Sequence, residues 1–202
     1  MTTRAPVATP GTVMEPRGPR LRRLAAVTVA LAALLAATPA AAGRSDSTIA
    51  PDVALKAAFL LNFAKFVTWP AQPANRPISI CVVGDDRVTV ALLDTVRDQV
   101  VADHRIEVRR SPERGAWSEC QVLFAADAEG RRAVDVAAAV KAAPVLTVSD
   151  VGGFARTGII ELSVEGGRMR FAINVDAAGR SGLRVSSRLL ALARIVRDDR
   201  TP

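Results

Sequence analysis

The sequence predicts an α/β fold of three layers. A mainly parallel sheet carries helices on both faces, with an antiparallel hairpin near the C-terminal end. Three observations lead there. Uncharged, β-branched runs at 78–83, 121–125 and 144–148 read as strands buried on both faces. Segments with apolar residues at helical spacing alternate with them, the pattern of βαβ crossovers. Two further strand-like runs, 158–164 and 168–174, flank Glu165-Gly166-Gly167, which reads as a hairpin turn.

Ahead of this pattern lies a segment of another kind. Arg4, Arg17, Arg20, Arg22 and Arg23 precede thirteen uncharged residues, 24–36, and the small residues Ala40 and Ala42 follow. A basic start, a short apolar run and an A-x-A site describe a secretory signal peptide. A membrane anchor would need about 20 apolar residues, and Pro39 interrupts this run. Residues 1–42 are therefore expected to be cleaved, leaving 43–202 as one domain. Met14 is an alternative start, Arg22-Arg23 is a weak twin-arginine match, and no Cys follows the run to carry a lipid.

The elements follow in order. The spacing of Leu55, Phe59, Phe63 and Phe66 predicts a helix over 52–67 with those residues on its buried face, and Asp52 is placed to pair with Lys56. Pro70 stops it and biases Trp69 toward extended backbone. After strand 78–83, Gly84-Asp85-Asp86 reads as a βα turn capped by Asp. Residues 87–100 read as a helix burying Val90, Leu93, Val96 and Val100. The segment 104–109 alternates as a half-exposed or edge strand, and 131–141 reads as an Ala/Val helix between strands 121–125 and 144–148. After the hairpin, 187–196 is expected to close the chain as an amphipathic helix with Leu189, Leu192, Ala193 and Val196 inward. Residues 71–77 and the tail after Arg197 read as linkers, with Asp198-Asp199 solvated.

Charge points away from nucleic acid. The 202 residues carry 27 Lys+Arg against 20 Asp+Glu, a net +7. Five of the cations sit in the leader, and from Gly43 onward 22 basic face 19 acidic residues, with no basic stripe bearing aromatic platforms. One His and two Cys cannot build a His/Cys zinc cage, which takes about four such ligands. His104, alone at the start of its strand, reads as a surface residue. No nucleophile–base pair and no phosphate-binding glycine loop can be assembled, so neither a catalytic site nor a cofactor is expected.

The segment Leu55-Lys56-Ala57-Ala58-Phe59-Leu60-Leu61-Asn62-Phe63-Ala64-Lys65-Phe66-Val67-Thr68-Trp69-Pro70 resembles the opening signature of the YfiR family of periplasmic proteins. Three later blocks agree in order. They are Leu146-Thr147-Val148-Ser149-Asp150 with Gly153-Phe154, then Arg170-Phe171-Ala172-Ile173-Asn174, then 183–194 as the family's last helix. The resemblance implies a Rossmann-like α/β sandwich without enzymatic activity. The best-known member restrains a membrane diguanylate cyclase by binding its periplasmic sensor domain. Some members carry a second cysteine pair before the hairpin, whereas 151–157 here has none, so redox tuning attached to that pair does not transfer.

If the strand order begins 2-1-3, Cys81 and Cys120 lie on neighbouring strands within disulfide reach. An even count in an exported chain favours a bridge, and the family pattern has cysteines in matching places. The alternative is two buried thiols. Asn62 and Lys65 interrupt an apolar helix, and with Trp69, Asp150 and Phe154 they form the candidate partner-binding set. Asn174 reads as satisfying backbone groups at the hairpin's end.

The expected function is a periplasmic regulator that binds and restrains the extracytoplasmic domain of a membrane sensor, a diguanylate cyclase being the implied kind. Homodimerisation stays open, and nucleic acid and membrane embedding after processing are excluded. The alternative is a periplasmic small-ligand-binding protein serving a receptor or transporter, although about 160 residues leave no room for two lobes closing on a ligand. An exported hydrolase is a distant third.

Overall fold

The computed structural model describes residues 50–70, 73, 75–110, 112–126 and 131–198, and the leader read at 1–42 lies outside the described residues. Helix α1 (Pro51–Phe66) begins with Pro at its first position, where the missing N–H costs no hydrogen bond, and Asp52 favours its positive end. It leads into the two-residue strand β1 (Val67–Thr68). Strand β2 (Ile78–Val83) is buried along its whole length, as a strand covered on both faces must be.

Gly84 turns the chain out of β2 with φ +93°, and a Cβ there would meet the Ala126 carbonyl oxygen at 2.1 Å. Glycine is required on both counts. Helix α2 (Asp86–Thr95) is then capped by the Asp85 carboxylate, which accepts from the amides of Arg87 (2.9 Å) and Val88 (3.4 Å). The Asp-capped turn expected from the sequence is present.

Strands β3 (Val100–Val101) and β4 (His104–Arg110) form a tight antiparallel hairpin whose central residues, Ala102 and Asp103, both have positive φ. A 3₁₀ turn (Arg114–Glu119) leads to β5 (Val122–Ala125), helix α3 (Arg131–Ala139) and β6 (Leu146–Ser149). A second short 3₁₀ turn (Phe154–Arg156) leads to β7 (Ile160–Glu165) and β8 (Arg168–Asn174), joined by Gly166-Gly167 at φ +57° and +72°. Two residues in the left-handed region make the turn whose twist matches the strands.

With Arg194–Val196 as β10, the principal sheet runs β10-β8-β7-β6-β5-β2-β4-β3. Pairings β4–β2, β2–β5, β5–β6 and β6–β7 are parallel, and β7–β8 is antiparallel. The start is the 2-1-3 order on which the cysteine reading depended. Alternate residues divide the core in two. Ile78, Ile80, Val82, Val122, Phe124, Leu146 and Val148 face the α1–α2 layer, whereas Cys81, Val83, Leu123 and Ala125 face α3 and Trp117. That is the three-layer α/β sandwich the sequence predicts, hairpin included.

Several elements differ from expectation. Leu55 is 41% exposed, and α1 instead buries Val53, Ala57, Leu60, Leu61, Phe63 and Ala64, with Phe59 and Phe66 half-buried. Apolar residues occupy most of the circumference of α1, so spacing alone selects no single face. Phe59, Phe63 and Phe171 then fix the rotation by packing together, with ring centroids 5.3–5.8 Å apart. Helix α2 ends at Thr95 rather than 100 and buries Val88, Ala91, Leu92 and Val96; Val90 and Leu93 point to solvent and Val100 lies exposed in β3. Asp98, at φ +62°, breaks the helical path before Val100 can join it.

The largest correction is at the C-terminal end. Residues 187–196 are not one helix. After α4 (Val175–Arg180) and β9 (Arg184–Val185), helix α5 spans only Ser187–Leu190, and Arg194–Val196 forms β10, parallel to β8. Leu192, expected inward, is 73% exposed. A continuous helix would leave the β8 edge unpaired, and β10 supplies its hydrogen bonds instead. Strand β9 pairs with β1 as a separate two-stranded sheet that no sequence pattern announced.

Candidate functional site

Helix α1 carries the longest block of the resemblance, and the structure clasps it at both ends. Near its start, Lys56 Nζ donates to Asp150 Oδ2 at 2.5 Å, with the two side chains only 15% and 26% exposed. The local i, i+4 pairing of Lys56 with Asp52 is therefore not the one formed: Asp52 stays in solvent while Lys56 turns toward the loop after β6. That loop is itself fixed. Ser149 Oγ donates to the Ala125 carbonyl at 2.6 Å and accepts from the Val151 amide at 3.2 Å. Phe154, 2% exposed, roots the same loop in the α3-side core.

At the other end, the chain leaving α1 is held by three contacts. Strand β1 pairs with β9, and the Ser186 amide donates to the Phe66 carbonyl at 2.9 Å. The buried Trp69 Nε1 donates to the Gln121 carbonyl at 3.2 Å. Gln121 also accepts from the Ser79 amide through Oε1 at 2.8 Å, so Trp69 is tied to the start of the central strands.

The five candidate residues thus fall into two sets. Asn62 and Lys65 are exposed on the outer face of α1, where Lys65 Nζ reaches Gln99 Oε1 at 3.2 Å. Trp69, Asp150 and Phe154 do not join them on a surface; they support the two ends of the helix and the loop it meets. Leu55, which spacing assigned to the core, shares the outer face with Asn62 and Lys65.

Cys81 and Cys120 are bonded, with Cα atoms 6.0 Å apart and both side chains buried in the α3-side core. His104 Nδ1 lies 2.8 Å from the Arg76 carbonyl, a surface contact at the start of β4. Among the described residues, no group of three or more His, Cys, Asp or Glu is placed to hold a metal ion, and no helix is long and apolar enough to cross a membrane.

A polar clasp at the chain's end was not legible in the sequence. Asn174, 1% exposed, caps α4 by accepting from the Ala177 amide at 2.8 Å and donates to the Ala155 carbonyl at 2.8 Å. The backbone-satisfying role read for it is correct. Its amide also donates to Asp198 Oδ1 at 2.9 Å, Arg180 donates to Asp198 Oδ2, and the Asp198 amide donates to Asp176 at 3.0 Å. Asp198 is therefore not a freely solvated tail residue, because three partners pin it beside β10; Asp199 lies outside the described residues.

The hydrogen bond from Asn174, then that from Arg180, and the charges of Arg180 and Lys141 hold the Asp198 carboxyl below its ordinary value of 3.8, against a smaller opposing effect of burial. A carboxylate whose pKa is depressed by folding stabilises the fold at pH values above its unfolded pKa. That contribution is lost as pH falls through the folded value. The difference in Tm between the parent protein and Asp198→Ala is expected to be constant above about pH 5 and to close in stronger acid. Because the Asp198 side chain is 36% exposed, the plateau should correspond to about 1 kcal/mol or less. Thermal melts of both proteins across pH check it.

Compared with known proteins, the chain matches a family described as YfiR/HmsC-like over residues 53–194, from the first turns of α1 into β10. The match takes in both clasps of α1, the disulfide and the hairpin. This chain belongs to the YfiR/HmsC-like family.

Proposed function

We propose that the exported domain, after removal of residues 1–42, docks on the extracytoplasmic part of a membrane sensor and holds it inactive, the sensor being a diguanylate cyclase. Family membership over 53–194 carries this reading, because the YfiR/HmsC-like family points to periplasmic regulation of cyclic-di-GMP signalling, generally without enzymatic activity. The disulfide supports it further, since such bonds persist in oxidising compartments. A regulator of this kind acts by binding the inactive state of its sensor more tightly than the active one, and only that difference shifts the equilibrium.

The docking face in this reading is the outer surface of the α1–α2 layer. Leu55, Val90 and Leu93 there are 41–50% exposed, large apolar side chains of the type that interfaces bury. Asn62 and Lys65 supply polar contacts between them, while Trp69, Asp150 and Phe154 keep the helix in place from beneath.

Deleting the gene should raise cellular cyclic-di-GMP and biofilm, and the parent gene supplied in trans should restore both. The double variant Leu55→Glu/Asn62→Arg, altered only at exposed positions, should melt like the parent yet fail to restore either. Unchanged cyclic-di-GMP in the deletion strain overturns the regulatory role. Full restoration by the double variant moves the docking face elsewhere.

A further inference from the structure

Away from α1, a cleft of about 710 Å³ opens between α3 and the segment that follows β10. Among the described residues, four cations line it, Lys141, Arg156, Arg180 and Arg197, with one lining carboxylate, that of Asp198. The imbalance is local, because the chain from Gly43 onward is nearly neutral. Two of the guanidinium groups are already oriented. Arg180 is held by Asp198, and Arg197 by Asp176 at 3.4 Å. Lys141 and Arg156 are exposed, and among the described residues neither has a carboxylate at ion-pair distance.

A concave wall with an excess of one sign concentrates counter-ions, and arginine forks match the paired oxygens of phosphate and carboxylate groups. The cleft already displays this preference on its own chain, since its cations help keep Asp198 ionised. The remaining volume is larger than an inorganic oxyanion fills, and Val134, 47% exposed, offers an apolar wall beside the charges.

We propose that this cleft binds a small organic oxyanion, with Lys141 and Arg156 engaging the charged group and Val134 the apolar body. Arg180 and Arg197 deepen the positive field while remaining paired within the chain. Because the cleft exists only in the folded chain, occupancy would also stabilise the fold.

Titration of the purified protein with phenyl phosphate and with inorganic phosphate at pH 7.5 and low salt, followed by amide chemical shifts, tests this. Phenyl phosphate is expected to saturate the Thr157, Val196 and Arg197 signals, about fivefold more tightly than inorganic phosphate because of the apolar contact. Lys141→Ala/Arg156→Ala should weaken it at least about tenfold, the loss of two charge-assisted contacts. Arg105→Ala, an exposed cation on β4 outside the cleft, should bind like the parent. No saturation by either probe, or parental affinity in the double variant, overturns the site. Equal affinity for the two probes overturns the organic ligand.

Discussion

Reduction of the Cys81–Cys120 bridge is expected to destabilise the domain by about 4 kcal/mol and to lower its Tm by roughly 10 °C. The bond closes a loop across a sequence separation of 39, spanning β2, α2, the β3–β4 hairpin and the first 3₁₀ turn. In the chain-entropy account, the cross-link acts mainly by restricting the unfolded chain. Both sulfurs are buried against Trp117 and Leu123, so the reduced thiols can stay packed and the fold need not rearrange. Melts with and without reductant measure the effect, and coincident curves would show that the bridge contributes nothing. If the regulatory reading holds, reduction should also weaken binding to the sensor, since α2 of the proposed docking layer lies inside the loop.

Phe154→Ala should cost about 3–5 kcal/mol, the usual penalty for emptying a buried aromatic site. The ring is 2% exposed and rests so closely on Gly158 that a Cβ there would meet it at 2.3 Å. Removing it leaves a void under the loop that carries Asp150, and the Lys56–Asp150 clasp on α1 should loosen with it. Phe154→Leu, which retains most of the volume, should cost less than about 1.5 kcal/mol. Urea melts of the two variants read this directly. A Phe154→Ala protein that melts like the parent yet no longer restores low cyclic-di-GMP would make the ring a direct contact rather than a support.

These residues show where sequence reading succeeds and where it stops. The strands read at 78–83 and 121–125, the Asp85 cap and the Gly166-Gly167 turn were legible, because each rests on a local preference or a short-range pattern, whereas the cysteine pairing was legible only through the strand order and the family resemblance. Of the five candidate residues, Asn62 and Lys65 were legible as exceptions to apolar patterning, whereas the separation of Trp69, Asp150 and Phe154 from them was not. Asn62 and Lys65 face solvent as polar residues on an apolar helix should. Trp69, Asp150 and Phe154 satisfy their chemistry inside the fold, through Gln121, Lys56 and the α3-side core.

Residues 1–42, with their basic start, apolar run and small-residue site, are read as an export signal without reference to any fold. The run of buried strands and intervening helices likewise determines an α/β sandwich, since strands apolar on both faces must be covered on both. What only the tertiary structure decided is which of several equivalent local choices survives. Helix α1 is apolar nearly all round, and contact with Phe171 sets its rotation. Arg194–Val196 has helical spacing but becomes a strand, because an open β8 edge offers hydrogen bonds that a surface helix could not replace. Lys56 prefers a carboxylate 94 residues away to one four residues away, because the distant partner is partly shielded from water. The basic cleft arises in the same way, from cations dispersed between positions 141 and 197 that folding alone brings together.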